Sequence, residues 1–341
     1  MASSPGPKAA IVILNWNGCA DTLECLDSLR NLDYPARHVV VDNGSSDGSA
    51  QVVREKFPDV EVIQTGSNLG YAGGNNVGIR AMLEQGIDYL LLLNNDTVMD
   101  TGALSRLIEA GESFPDAAVF GAKILSYEEP ERVLFAGAVE VPAGAYYYFL
   151  TDGKRSLCVD CDDVSDTPFV HGAGFMIRAS TLGDIGLLDE RYFLYFEETD
   201  FCSRARQKGH RVVVVPRARI RHKISRSMGG AGSPLQNYFK TRNHLFWARR
   251  YMPPRAHAAL VRRTLSSVLG PGFDCTWTET VRDPRRIYWG AHGFVKGWRK
   301  PEHWARAMGL RDYLFGRQGD CPEVVRKWRG GERGEGTGLR A

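Results

Sequence analysis

Apolar and polar positions alternate in blocks along the first hundred residues. Residues 9–14 (Ala-Ala-Ile-Val-Ile-Leu) are a continuous apolar run that ends at Asn15-Trp-Asn-Gly18, the pattern of a strand buried on both faces. Leu23, Leu26 and Leu29 then recur at the spacing of one buried helix face. Residues 38–42 predict a second strand, broken by Asn43-Gly-Ser-Ser-Asp-Gly48. Ser46 or Asp47 can cap the next helix, which runs to about Phe57 and stops at Pro58. Residues 60–64 predict a third strand, the Gly/Asn-rich run 66–76 a loop leading into a helix to about Gly86, and residues 87–93 a fourth strand. Short strand–helix alternation of this kind means parallel strands joined by right-handed crossovers.

Near Ser126 the pattern changes. Residues 133–149 are Gly/Ala-rich, carry Tyr146-Tyr-Tyr-Phe149, and read as antiparallel strands and loops. Residues 169–178 predict a strand of small residues, 197–208 an acidic helix stopped by Gly209, and 211–215 a strand with His222 just beyond it. After Ser233 aromatic residues interleave with arginines until Pro253-Pro254, and five of the seven tryptophans lie beyond residue 270. The expected organisation is an α/β catalytic domain over 1–232, with a nucleotide-binding half at about 8–125 and an acceptor half at about 126–232. A helical region over 233–330 and a fraying Gly/Arg-rich tail over 331–341 follow.

Composition narrows the class. A hydrophobic content of 43% and a charged content of 24% are those of a soluble globular protein. The net charge of +3 does not point to nucleic acid, and the longest apolar runs are too short to span a bilayer. No secretory leader is visible at the start, and seven scattered cysteines fit reduced thiols, so the expected location is cytoplasmic. Cys158-Val-Asp-Cys161 is a lone pair without the four ligands of a structural zinc site.

Four clusters carry candidate chemistry. Asp42, at the end of a strand, can accept a hydrogen bond from a ligand's ring N–H or hydroxyl, or belong to a simple turn with a helix cap. The run Asn68–Asn76 offers glycines for close backbone approach and asparagines as donors and acceptors, yet matches neither the dinucleotide nor the phosphate-loop spacing. Asn94-Asn95-Asp96 closes a buried strand with a carboxylate suited to a hard divalent cation beside a diphosphate. Glu197, Glu198 and Asp200 crowd three acids into one helical turn behind Phe193, Tyr195 and Phe196. Crowding raises carboxyl pKa values, which suits a general base; acids matched to the helix dipole are the simpler alternative. His171 and His222 are ambiguous singly.

Taken in order, Asn15-Trp-Asn-Gly, Val41-Asp-Asn-Gly-Ser-Ser-Asp-Gly-Ser, Asn68-Leu-Gly-Tyr-Ala-Gly-Gly-Asn-Asn, Leu93-Asn-Asn-Asp-Thr and Phe193-Leu-Tyr-Phe-Glu-Glu-Thr-Asp-Phe-Cys-Ser-Arg, with His222 and Arg242-Asn243, resemble the inverting family-two glycosyltransferases of the GT-A fold, in their rhamnosyltransferase-like branch. The resemblance covers roughly residues 9–250. It implies a mixed, mostly parallel central sheet flanked by helices, a nucleotide-diphosphate sugar donor (dTDP or UDP), a divalent cation (Mg²⁺ or Mn²⁺), and a glycan or polyprenyl-linked acceptor in cell-surface polysaccharide assembly. The donor would meet Asn15, Asn17, Asp42, Asn43, Ser45, Asn68, Gly70, Asn75, Asn76 and Asn95. Asp96 stands at the last acid of the D-x-D motif and His222 at the later metal or diphosphate ligand. Glu198 stands at the catalytic base, and His171, Gly172, Ala173, Glu197 and Asp200 fall in the acceptor or sugar pocket. Asn94 replaces the first acid of D-x-D, implying a weaker grip on the metal, and Glu198 replaces a frequent Asp. The basic, aromatic segment 238–263 reads either as a surface for the inner face of an anionic membrane or as a helix packed back on the catalytic domain. A sugar-phosphate nucleotidyltransferase and a non-catalytic sugar-binding module are the rival readings.

Overall fold

The computed structural model describes residues 6–140, 147–149, 162–223, 232–269 and 300–328. The chain divides into two units, Met1–Val141 with Tyr147–Ile224, and Pro142–Tyr146 with Ser225–Ala341. In the first, β1 (Ala9–Asn15), α1 (Cys19–Leu29), β2 (Ala36–Asp42), α2 (Ser49–Lys56), β3 (Glu61–Gln64), α3 (Gly70–Leu83) and β4 (Tyr89–Asn94) follow the alternation written in the sequence. All the pairings among these four strands are parallel. β1 and β4 have neighbours on both sides and bury nearly every side chain, as a continuous apolar run requires. Gly74 and Gly78 let α3 lie close on the sheet: a Cβ on either would come within 2.3 Å of Leu14 and 2.4 Å of Val12 respectively.

β5 (Thr97–Met99), α4 (Ala103–Ser113), β6 (Ala117–Ser126), β7 (Val133–Phe135), β8 (Ala138–Glu140), β9 (Tyr147–Phe149), β10 (Ser165–Asp166), β11 (Gly174–Arg178), α5 (Leu182–Ile185), α6 (Glu197–Gln207) and β12 (Arg211–His222) complete the unit. The strand order is β10-β12-β6-β11-β4-β1-β2-β3, with β5 on β12 and β7 on β6. β8 and β9 form a separate antiparallel pair, as the change of pattern after Ser126 predicts. β11 is antiparallel to β4 and β6, whereas β12 is parallel to β6, so β12 runs in the same direction as β1 and β4. The carboxyl ends of β1, β2, β4 and β12 and the amino end of β11 therefore share one sheet edge. The chain order reverses between β1 and β4, and in open α/β sheets ligands bind at that switch point, beyond the carboxyl ends.

Three expectations are corrected. The Gly/Asn run is a loop only as far as Leu69; from Gly70 it is already helix. The strand expected over 169–178 is regular only from Gly174, because before it the His171 ring accepts the Ala173 N–H and the Gly172 carbonyl accepts the Tyr71 hydroxyl, pulling the backbone out of the ladder. The last strand does not stop at Val215. A register shift between Val215 and Arg219 absorbs Pro216, which has no N–H to give, and the strand continues to His222.

In the second unit α7 (Pro234–Tyr251) is capped by the Ser233 hydroxyl, which accepts the Gln236 N–H at 3.2 Å. α8 (Pro254–Leu269), α9 (Pro301–Leu314) and α10 (Glu323–Lys327) follow. α9 lies against α7 at Gly309, where a Cβ would sit 2.6 Å from the Tyr238 carbonyl. Arg242 is wholly buried there, donating to Asn243 and to the Tyr238 hydroxyl, which donates to Asp312 at 2.7 Å. Cys158, Cys161 and the tail 331–341 lie outside the described residues.

Candidate functional site

One side of the candidate site is built at the ends of β1 and β2. Asn15 is fully buried; its amide donates to Ser49 at 2.8 Å and Ser45 at 3.1 Å, and its carbonyl accepts from Thr22, the Gly18 N–H and Asn95. Asn95 also donates to the Thr22 hydroxyl at 3.0 Å and to the Gly18 carbonyl. One asparagine thus ties the first strand to α1, to the loop after β2 and to the turn after β4. Asn17, at φ 52°, holds that loop by accepting the Ser46 N–H and donating its own N–H to Ser45. Asp42 is 2% exposed. One of its oxygens accepts the Ser45 N–H at 3.0 Å, and among the described residues no donor reaches the other, which suits a ring N–H of a base. Asn43 and Asn68 pin the start of α3 through Gly70 and Leu69.

Asn75 and Asn76 were expected in a loop and sit buried inside α3. Asn76 donates to the Leu188 carbonyl and to Glu190 and accepts the Leu188 N–H, so it fastens the segment before the acidic helix. Asn75 donates to the Tyr71 carbonyl, and its own carbonyl oxygen is buried with no partner.

On the other side, Asn95 and Asp96 form the turn between β4 and β5, and β5 pairs with the end of β12, Thr97 opposite His222. That register brings the Asp96 carboxylate to 3.1 Å from His222 Nε2, both side chains 9% exposed, and the Lys223 N–H to the Asp96 carbonyl. Burial pushes the Asp96 carboxyl upward, but the His222 hydrogen bond and the charges of His222 and Lys223 outweigh it, and the net shift is down. An ionised carboxylate next to an imidazole is a donor set that Mn²⁺ and, through the oxygen, Mg²⁺ accept, with the remaining positions left to phosphate. The two residues fit a cation that a diphosphate completes; among the described residues no group of three or more acidic, His or Cys side chains would hold one alone. His171 meets the His222 ring edge to face at 5.7 Å.

The acids stand at the start of α6. Phe193, Tyr195 and Phe196 all hold positive φ, 65°, 64° and 76°, each costing a non-glycine residue about 1–3 kcal/mol. The Phe193 carbonyl accepts the Tyr71 N–H at 2.6 Å, and Gly70 (φ +75°) leaves room for it, since a Cβ there would be 2.4 Å from that oxygen. Strain concentrated in four residues at the mouth of an acidic helix marks a functional segment. Glu198 is half-buried and accepts the Thr199 hydroxyl. Glu197 is 3% exposed with one oxygen unpaired, and burial first, then the charge of Glu198, raises its carboxyl well above the usual range.

Asp200 is corrected. Wholly buried, it receives the Tyr192 hydroxyl on one oxygen and the Arg204 guanidinium at 2.8 Å on the other, while Arg204 also reaches the Leu187 carbonyl. It locks α6 to the preceding loop, and at 0% exposure it presents no surface of its own to a sugar.

The sequence reading passed over Tyr71. Its hydroxyl donates to the Gly172 carbonyl at 2.6 Å, and burial, then the charges of Glu197 and Glu198, raise its phenol well above the usual range. Contacts therefore run from Asp96 through His222, His171 and Gly172 to Tyr71, and the two glutamates act on Tyr71 through their charge. It also passed over Lys223, which pairs with Asp21 and Glu24 of α1 and so anchors the strand end that carries His222. The signal for Tyr71 was its place inside the glycine run; Lys223 had none, as its partners are some two hundred residues away.

Residues 5–252 match the model of the family described as Glycosyltransferase like family 2. An N-acetylglucosaminyl-diphospho-decaprenol L-rhamnosyltransferase of Mycobacterium tuberculosis is 28% identical over 242 residues, covering 64% of this chain and 76% of the relative. A dTDP-rhamnosyl transferase of Shigella flexneri, RfbF, is 26% identical over 63% of this chain and 72% of its own length. The crystal structure of GalNAc-T7 with UDP, GalNAc and Mn²⁺ superposes with a TM-score of 0.58 at 14% identity, over 92% of this chain and 58% of that one, which establishes the GT-A fold. Over more than two-thirds of its length the chain belongs to the family-2-like glycosyltransferases, and it is a glycosyltransferase.

Proposed function

We propose that the protein moves a rhamnosyl or related hexosyl group from a dTDP- or UDP-sugar to a hydroxyl of a polyprenyl-linked glycan, with inversion, in cell-surface polysaccharide assembly. The names of the mycobacterial and Shigella relatives support the sugar and the acceptor class. The observation that supports the reading is the run of contacts from the Asp96–His222 pair through His171 and Gly172 to Tyr71, whose phenol feels the charges of Glu197 and Glu198. Uracil and thymine both offer a ring N–H to the open oxygen of Asp42. Glu198 takes the acceptor's proton as the acceptor oxygen bonds to the anomeric carbon. The bond from that carbon to the diphosphate breaks, and its electron pair leaves on the diphosphate oxygen. Attack on the face opposite the leaving group inverts the centre. A divalent cation, when bound by Asp96 and His222, supplies charge neutralisation at the departing diphosphate.

The test is release of nucleotide diphosphate from a panel of dTDP- and UDP-sugars, with and without a polyprenyl-diphosphate N-acetylglucosamine acceptor. Release that needs both acceptor and Mg²⁺ or Mn²⁺ is expected. Pyrophosphate release would instead mark a nucleotidyltransferase, and no release from any donor would remove the reading.

A lipid-linked acceptor also asks for contact with a membrane surface. Among the described residues no helix is long and apolar enough to cross one. The aromatics Tyr238, Phe239 and Trp247 are buried, so they do not serve. What supports surface contact is Lys240, Arg249, Arg250, Arg255, Arg262 and Arg263 on α7 and α8, exposed and with no acid between residues 232 and 269. Leu314 and Phe315, 60% and 74% exposed at the end of α9, add an apolar tip. Each basic group near an anionic surface adds about 1 kcal/mol, screened by salt. The protein is expected to sediment with phosphatidylserine-containing vesicles at low salt and to be released at high salt, and Phe315→Glu to weaken the binding; no sedimentation at low salt would exclude the contact.

A further inference from the structure

Glu197 is the acid for which the proposed reaction has no use. It is 3% exposed, and among the described residues no donor reaches its Oε2. A backbone N–H is the one group that favours its charged form, and burial and the charge of Glu198 outweigh it. Its one side-chain hydrogen bond is to the carboxyl of Glu198, and two carboxyl groups can hydrogen-bond only when one of them carries a proton. The groups that face Glu197 from neighbouring elements do not favour its ionisation. The Tyr71 hydroxyl of α3 donates its hydrogen bond to the Gly172 carbonyl rather than to Glu197, and Glu198 bears the same sign of charge. The two glutamates differ in setting: Glu198 is half-buried and receives the Thr199 hydroxyl, while Glu197 faces inward. The proton therefore belongs on Glu197 and the charge on Glu198.

We propose that Glu197 is a positioning residue that stands as a neutral carboxylic acid and donates a hydrogen bond to Glu198, aiming that carboxylate at the acceptor hydroxyl. The inference rests on Glu198 being the base. No bond to substrate forms at Glu197, and its proton stays on it through the turnover. The acceptor's proton goes to Glu198 alone, so the pair passes from one negative charge to none. A neutral donor beside Glu198 favours the charged form, which keeps the base ready at neutral pH, whereas a second carboxylate would oppose it.

The test compares Glu197→Gln with Glu197→Ala in the full chain, reading kcat, donor KM, the acid limb of the kcat–pH profile and the melting temperature. Gln keeps a neutral donor of the same shape, so it should hold kcat within about fivefold of the parent with the acid limb in place. Ala removes a hydrogen bond to a charged group and should lower kcat by about 10- to 100-fold. Donor KM should hold, and the acid limb should move to higher pH. An ionised Glu197 predicts the reverse for Gln: a loss of kcat as large as that of Ala and an acid limb moved to lower pH, and that result overturns the proposal. If the Ala variant does not fold, the Gln variant's kcat and limb decide alone. Failure of the underlying reading shows separately, as near-normal turnover in Glu198→Gln with Glu197 intact.

Discussion

Glu198→Gln is expected to lower kcat by about 10²- to 10⁴-fold, the range that a positioned general base contributes, while the calorimetric affinity for the nucleotide-sugar stays within a factor of two or three. The split follows from geometry. Glu198 opens α6 behind a backbone strained at Phe193, Tyr195 and Phe196, on a different element from the turn and strand end that carry Asp96 and His222. Replacing the carboxylate with an amide keeps shape and the contact with Thr199 but removes the basic lone pair, so the chemical step suffers and donor binding does not. Fold should survive, because the buried acid that locks the helix is Asp200, held by Arg204 and Tyr192, and that lock is untouched. Turnover near the parent value would take the base role away from Glu198. A parallel loss of donor affinity would place Glu198 on the donor instead.

The sheet was legible because its signal is local. A run such as Tyr89–Leu93 has one physical solution, a strand buried on both faces, and the turn residues after β1, β2 and β4 announce the edge where the site lies. What could not be read depends on partners far along the chain. Asn75 and Asn76 look like loop residues by composition, yet helix α3 proceeds through them because Gly74 and Gly78 admit it to the surface of β1 and because Asn76 finds Leu188 and Glu190 more than a hundred residues on. Pro216 reads as the end of a strand, but a bulge carries β12 past it to His222. Asp200 and Glu198 are indistinguishable as letters; Arg204 and Tyr192 make one a strut and leave the other half open. The resemblance singles out the acids, while telling a buried strut such as Asp200 from a half-open acid such as Glu198 needs three-dimensional neighbours.

Asp96→Ala should remove most of the metal-dependent donor binding. Asp96 and His222 are brought to 3.1 Å by the pairing of β5 with the end of β12, and Lys223, clamped by Asp21 and Glu24, anchors that end to α1. The carboxylate's depressed pKa means that it is already charged at neutral pH, so a cation does not have to displace a proton from it. Partners that merely orient a metal ligand are worth 10–100-fold in affinity; deleting the carboxylate ligand itself should cost about 10²-fold or more in the dissociation constant for nucleotide-sugar measured with Mg²⁺ or Mn²⁺. In EDTA the parent and the variant should bind the donor alike, weakly, through Asp42 and the loops around it. The variant also leaves the buried His222 without its carboxylate, a loss of about 1–3 kcal/mol, so melting should fall by several degrees at roughly 2–4 °C per kcal/mol. This lowering separates the two roles of Asp96, because it persists in EDTA while the affinity difference does not. Equal donor affinity in parent and variant with Mg²⁺ present would leave Asp96 only the second role, the strut that holds His222 in place.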